Sequence, residues 1–389
     1  MARPGSSTSV LAATLCAAFC ALLWALPACA SPGPGSHGSP LFDEHTELAV
    51  VLKYPVRRML RDPRAKEELA GMLHYQGPDG REASLSIKVR ARGNTRLDLC
   101  DFPPLRLEFD PAQTAGTPFA GEKHLKLVTH CRPGNRYADY VRLEQRIYRA
   151  YGLITPASFK TRALAVTYVD SVERMVPVAA PAFLMEDGDD MAGRIGMREA
   201  RMSVLNPADV DPVQTGLMEL FQFMIGNTDW SAYAPKDGSK ECCHNGHVLR
   251  PVRDGGKFVV VPFDFDYAGL IDAEYAAVSR AAGVRRVRQR IYRGLCAHND
   301  QVPASIRRFQ EVRPQLEALF EGGGIGKVAS HRALVYVQEF YGIIGDATEV
   351  QRWIYDYCRP GPTGASAPMA VAASADPASL TFSSLGRMP

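Results

Sequence analysis

The chain has 389 residues, long enough for more than one compact lobe, and its 45 Lys and Arg nearly balance 42 Asp and Glu for a net charge of +3. That balance, with no block of basic residues, argues against a nucleic-acid binder that works by phosphate neutralisation. The densest basic cluster, Arg285-Arg286-Val287-Arg288-Gln289-Arg290, reads as a solvated helix face.

Arg3 precedes an apolar run from Val10 to Leu26, and Ala28-Cys29-Ala30 follows. A basic start, an apolar stretch and a small-x-small site make residues 1–30 a secretory signal. The run is broken by polar and small residues and closed by Pro27, unlike the ~20 successive apolar residues of a membrane span. The expected mature protein is therefore extracytoplasmic, periplasmic or secreted, with no transmembrane helix. Leu26-Pro27-Ala28-Cys29 also resembles a lipoprotein cleavage site, which leaves a lipid anchor at Cys29 open. Of nine cysteines, Cys16, Cys20 and Cys29 lie in the signal and six follow it. An even number in an exported chain suggests disulfides. Cys100 is expected to pair with Cys131, and the neighbours Cys242 and Cys243 to take different partners.

Residues 31–39 are a Ser/Pro/Gly-rich linker. From residue 40 to 187 the pattern is mainly β. Leu48–Leu52 is apolar, Ser84–Val89 alternates, and Gly77-Pro78-Asp79-Gly80 marks a turn between them. Leu105–Phe109 and Leu125–Val128 read as strands, Tyr137–Tyr151 as a helix, and Ala163–Val169 and Val176–Met185 as strands again. From 188 to 358 the pattern is mainly helical. Val213, Leu217, Leu220, Phe221, Met224 and Ile225 form a helical stripe, and a strand at Lys257–Pro262 interrupts the helices. Residues 359–389 read as a disordered tail. This order predicts two lobes, with a cleft between them for a ligand.

Three constellations carry chemistry. On the first helix, Tyr137, Tyr140, Val141, Ile147, Tyr148 and Tyr151 share a face that also holds Glu144. A carboxylate there needs a cation, and Lys126, mid-strand between Leu125 and Leu127, is the expected partner. Gly226-Asn227-Thr228-Asp229-Trp230-Ser231 follows an apolar helix and places a carboxylate on a loop, where it could accept a hydroxyl proton. Asp264 and Asp266 close an apolar strand, and Asn245 precedes it; this is the sparse oxygen set that Mg²⁺ (or Mn²⁺) takes when phosphates and water complete its shell. Plainer readings stand beside each: a solvated glutamate, a capped turn, a strand-end turn.

Strand Lys, helix Glu, loop Asp, Asn and strand-end Asp succeed one another as in a protein kinase. The sequence resembles the secreted, atypical kinases of the spore-coat CotH type. The matching stretches are Arg92-Gly93-Asn94-Thr95-Arg96, Leu125-Lys126-Leu127, the helix with Glu144, Phe183-Leu184-Met185-Glu186-Asp187, Gly226 to Ser231 and Val261 to Gly269. The resemblance implies an α+β, two-lobed protein-kinase-like fold, with a mainly β N-terminal lobe carrying one helix and a mainly α C-terminal lobe. It also implies transfer of phosphate from Mg-ATP to a protein or small-molecule hydroxyl. Lys126 and Glu144 would hold the phosphates with Arg92 and Arg96 near them, and Met185 and Glu186 would lie beside the adenine. Asp229 would be the catalytic base, and Asn245, Asp264 and Asp266 the metal ligands. No typical GxGxxG phosphate loop and no HRD tripeptide is found, and Asp264-Phe265-Asp266 lacks the glycine of the kinase motif. A pseudokinase or envelope binding protein, and a metal-dependent hydrolase, are the alternative readings.

Overall fold

The computed structural model describes residues 39–361, apart from 78, 173, 237, 254 and 280–281. The signal, the Cys29 anchor, most of the linker and the tail beyond 361 lie outside the described residues. Among those described, no helix is long and apolar enough to cross a membrane.

Seven strands close into a barrel: β1 (Leu48–Tyr54), β2 (Leu69–Gln76), β3 (Glu82–Ala91), β4 (Leu105–Phe109), β5 (His124–Val128), β6 (Thr161–Asp170) and β7 (Val178–Met185). Their order around it is β1-β2-β3-β4-β5-β7-β6. Neighbours are antiparallel except at the closure, where β1 pairs with β6 in parallel from Leu48↔Leu164 to Tyr54↔Asp170. Alternation supplies the interior, because successive side chains of a strand face opposite ways. Val50, Leu52 and Tyr54 of β1, Leu85, Ile87 and Val89 of β3, and Leu125 and Leu127 of β5 are buried together. Lys126 consequently stands on the outer wall.

The expected two-lobed protein-kinase-like fold is corrected here. The β1–β6 pairing closes the N-terminal strands on themselves, so they form a barrel and not the β lobe of a kinase. Closure also removes the sheet's exposed edges.

Short helices α1 (Val56–Arg61), α2 (Arg96–Leu99) and α3 (Pro111–Thr114) punctuate the barrel strands. Helix α4 (Asn135–Ile154) lies between the barrel wall and the C-terminal part. Its Tyr148 ring is 5.6 Å from Phe183 of β7, and its Tyr151 ring is 4.6 Å from Phe221. Helix α5 (Gly188–Arg194) leads into β8 (Met197–Glu199), which joins β9 (Gly246–Pro251) and β10 (Val259–Pro262) in a sheet of order β10-β9-β8. The single strand expected at Lys257–Pro262 is thus the edge of a three-stranded sheet. Asp211 caps α6 (Pro212–Ile225), its carboxylate accepting from Gln214 N at 2.8 Å, with Pro212 in the first turn. Helices α7 (Val302–Leu319) and α8 (Lys327–Ile344) complete the core. Residues 263–295, expected to be helical, hold no α-helix or strand among those described.

Disulfides join Cys100 to Cys131, Cys296 to Cys358, and Cys242 to Cys243. The expectation of separate partners for Cys242 and Cys243 is therefore corrected.

Glu122 is buried, at 1% exposure. Burial raises its pKa to about 8; a Ser39 hydrogen bond opposes the rise, and the charges of Asp190, Asp187 and Glu186 reinforce it. The folded protein then keeps a proton that the unfolded chain releases above its ordinary pKa of 4.5. Stability should fall as pH rises from there to about 8. Glu122→Gln should match the parent near pH 5 and exceed it near pH 9 by on the order of 3–5 kcal/mol, read by urea unfolding at both pH values.

Candidate functional site

The sequence-predicted residues gather where the outer wall of β5, the end of β3, α4 and the segments after α6 and β10 meet. Lys126 is paired across the sheet with Arg106 and Met185, and its Nζ lies 5.4 Å from the Phe263 ring centroid. Burial lowers its pKa to about 8, helped by Arg92 and opposed by Asp187, Glu199 and Asp264. Arg92 follows β3. Burial lowers its pKa, against the pull of Asp264 and Tyr148. Among the described residues, neither Lys126 nor Arg92 has a carboxylate within ion-pair distance.

Glu144 is buried at 2% exposure, as the helical stripe predicts, but its partner is not Lys126. Arg96, on α2, places Nη1 4.0 Å from Glu144 Oε2 and Nε 3.5 Å from Asp266 Oδ2, and its Nη2 donates to Tyr275 Oη at 3.1 Å. The sequence missed this because a short helix, and not the strand register, delivers the arginine. Burial raises the Glu144 pKa, Arg96 pulls it back, and Asp266 and Asp264 push it up again. Asp266 is likewise raised, to about 7, by burial and by Asp264 and Asp229, with Arg96 opposing.

Asp264 sits at φ 63°, a left-handed conformation that Asp and Asn tolerate better than most residues. Its N–H donates to Tyr148 Oη at 2.8 Å, while its carboxylate is exposed and has no ion-pair or hydrogen-bond partner among the described residues.

Asp229 is held from several sides. Gly226 ends α6 at φ 63°, where a Cβ would run into the Tyr336 hydroxyl, and turns the chain into the loop. Asp229 N donates to Asn227 Oδ1 at 3.0 Å. His244 Nε2 lies 2.8 Å from Asp229 Oδ1, and Asn245 Nδ2 donates to Asp229 O at 2.7 Å and to Oδ2 at 3.2 Å. Burial works to raise the Asp229 pKa, but the His244 hydrogen bond, the charges of His244 and Lys236, and Asn245 hold it below the ordinary carboxylate range. Arg293 donates to Thr228 O and lies 5.5 Å over the Trp230 ring, bracing the same loop. Sequence reasoning assigned His244 and Arg293 no role; His244 stands directly beside Asn245, whereas Arg293 is brought in from a distant irregular segment.

Met185 and Glu186 do not join this group as ligand contacts. Both are 2% exposed. The Glu186 carboxylate is consumed by Arg194 at 2.9 Å and 3.0 Å and by Lys160 N at 2.9 Å. A groove of about 750 Å³ runs along the outer wall of β1, β2, β6 and β7, past Val51, His74 and Thr167, and contains none of the candidate residues.

Among the described residues, no three His, Cys, Asp or Glu side chains are grouped to hold a metal ion. Asn245 has committed its amide nitrogen to Asp229. Asp264 is exposed and has no ion-pair or hydrogen-bond partner among the described residues, and Asp266 is raised first by burial and then by the charges of Asp264 and Asp229. Mg²⁺ in its sparse mode takes only one or two carboxylates, with substrate phosphates and water completing its shell. No family model matches the chain, and no curated protein matches it in sequence.

Proposed function

We propose that this protein is an exported phosphotransferase that moves the terminal phosphoryl group of ATP, or a related nucleoside triphosphate, to a protein or small-molecule hydroxyl. The observation that carries this reading is the pair Lys126 and Arg92, two half-buried cations with no carboxylate at ion-pair distance among the described residues, beside the exposed Asp264 carboxylate. Buried charge is costly unless compensated. A polyphosphate supplies that compensation, and a divalent cation held by Asp264 and Asp266 would neutralise charge developing on the transferred group. The resemblance to CotH-type kinases is in keeping with these roles; the proposal takes nothing from a kinase fold.

Lys126 and Arg92 would bind phosphate oxygens. Asp229, fixed by His244 and Asn245, would orient the acceptor hydroxyl and take its proton. Its depressed pKa makes it a weak base, which suits a loose transition state in which the proton leaves late. Arg96 would keep Glu144 and Asp266 compact behind the phosphates. The three disulfides suit an oxidising compartment, in keeping with export.

Lys126→Met removes a desolvated, unpartnered cation. It should leave the melting temperature unchanged or raise it, and weaken Mg-ATP binding about 10- to 100-fold by calorimetry. Incubation with γ-labelled ATP and Mg²⁺, followed by phosphorus NMR, tests the reaction itself. Label on a hydroxyl supports transfer, label as inorganic phosphate points to a hydrolase, and unchanged bound ATP points to a binding protein.

A further inference from the structure

The Cys242–Cys243 disulfide differs in kind from the other two. Cys100–Cys131 and Cys296–Cys358 span 31 and 62 residues and staple distant segments, which constrains the unfolded chain. Cys242–Cys243 spans a separation of one and closes no such loop. What it constrains is local, and what stands immediately after it is His244 and Asn245, whose side chains hold Asp229.

The backbone ties the same parts together. Ser231 N donates to His244 O at 2.9 Å, and His244 N donates to Ala234 O at 3.2 Å. Cys243 Sγ lies 3.0 Å from Ala232 O. Asn245 sits at φ 53°, in the left-handed region, so the chain leaves the cysteine pair through a sharply defined turn. Cys242 is buried at 8% exposure and its backbone N bonds Met202 O at 2.8 Å, whereas Cys243 is only partly buried. Cys242 is thus the more buried residue of the pair, tied down through its backbone, and Cys243 is the more accessible one.

We propose that Cys242–Cys243 is a thiol-exchange site, acted on by a dithiol reductant, that sets the position of Asp229. A thiolate of the reductant attacks Cys243 Sγ and the S–S bond breaks. Cys242 leaves as a thiolate and takes a proton, and Cys243 is left in a mixed disulfide. The reductant's second thiolate then attacks its own sulfur in that bond, releasing the Cys243 thiolate, which is also protonated. The cysteine pair gains two electrons and two protons, and the dithiol becomes a disulfide. With the ring open, the residues ahead of His244 regain backbone freedom that the closed ring withholds. The Ser231–His244 and His244–Ala234 bonds, and the clamp on Asp229 with them, loosen.

The positional effect stands apart from the phosphotransferase reading; only its consequence for turnover rests on that reading. The test compares full-length oxidised protein with Cys242→Ser/Cys243→Ser by hydrogen exchange. The Ser231 and His244 amides should exchange at least about tenfold faster in the variant, while the Leu249 amide in β9 stays unchanged as the folding control. Dithiothreitol added to the parent, at a concentration where alkylation and mass counting show Cys242 and Cys243 free, should reproduce the increase, and should add none in the variant. Equal exchange at Ser231 and His244 in parent and variant would overturn the proposal, as would a dithiothreitol effect of the same size in both. Phosphoryl transfer is followed in parallel: a tenfold fall on reduction extends the switch to catalysis. Absence of transfer in both states counts against the activity alone, because the amides still decide the inference.

Discussion

Asp264→Asn should lower Mg²⁺-dependent phosphoryl transfer at least about 100-fold, the scale on which loss of one preorganised transition-state charge partner is felt. Asparagine is the informative substitution because residue 264 holds φ 63°. Asn tolerates that left-handed backbone, and the 264 N–H can still donate to Tyr148 Oη, so the variant loses a charge and keeps the turn. The Asp264 carboxylate is exposed and makes no contact among the described residues, so its removal should move the melting temperature by no more than 1–2 °C or so. Asp264→Ala is the weaker test, since it adds backbone strain to the loss of charge. Steady-state transfer measured across Mg²⁺ concentrations gives the result. Undiminished turnover at Mg²⁺ levels that saturate the parent would remove Asp264 from the metal-binding role.

Arg96→Leu should be the most destabilising single change in the site, by about 3–5 kcal/mol, because it leaves two buried carboxylates without their cation. Glu144 and Asp266 are 2% and 5% exposed, and Arg96 is the guanidinium that reaches both. The loss should shrink on acidification. Asp266 already sits near pKa 7 with Arg96 present, and both carboxyls become neutral more readily without it. Urea unfolding at pH 5 and pH 8 should therefore show a smaller deficit at the lower pH. Adding Glu144→Gln to Arg96→Leu should recover part of the stability, since a neutral amide needs no counterion. A double-mutant cycle measures that coupling. A deficit that is independent of pH would show that Arg96 acts through packing on Tyr275, 5.6 Å from its guanidinium, and not through charge.

Local pattern carried much of the element list. Alternation in 84–89 and 125–128 marked strands whose inward residues are the barrel core, and the stripe around Glu144 placed that carboxylate on a buried face. Closure was not legible. It depends on Leu48–Tyr54 lying parallel to Leu164–Asp170, a pairing across more than a hundred residues that no local pattern encodes. β2 escaped notice because Ala70, Gly71 and Met72 blur its alternation. The kinase-like architecture was inferred from the order of polar motifs, and such an order constrains how strands connect far less than hydrogen-bond register does.

In the site, residue types were more legible than pairings. A buried Glu144 demanded a cation, and Lys126, mid-strand between Leu125 and Leu127, was the partner the pattern suggested. Only the turn through Gly93 and Asn94 into α2 shows that Arg96 supplies it and leaves Lys126 unpaired. Glu186, which the resemblance places beside an adenine, is instead consumed by Arg194. A lysine and a carboxylate that both lack ion-pair partners among the described residues are a more demanding arrangement than a lysine already neutralised.

On the proposed reading, Lys126, Arg92 and Asp264 together receive a metal-bound polyphosphate. The most direct measurement is calorimetric binding of a non-hydrolysable ATP analogue to the parent, Lys126→Met and Asp264→Asn, each with Mg²⁺ and with EDTA. Binding by the parent should need Mg²⁺ and weaken at least about tenfold in either variant, a loss of roughly 1.4 kcal/mol. Binding of equal strength in EDTA, or binding that survives both substitutions unchanged, would contradict that reading.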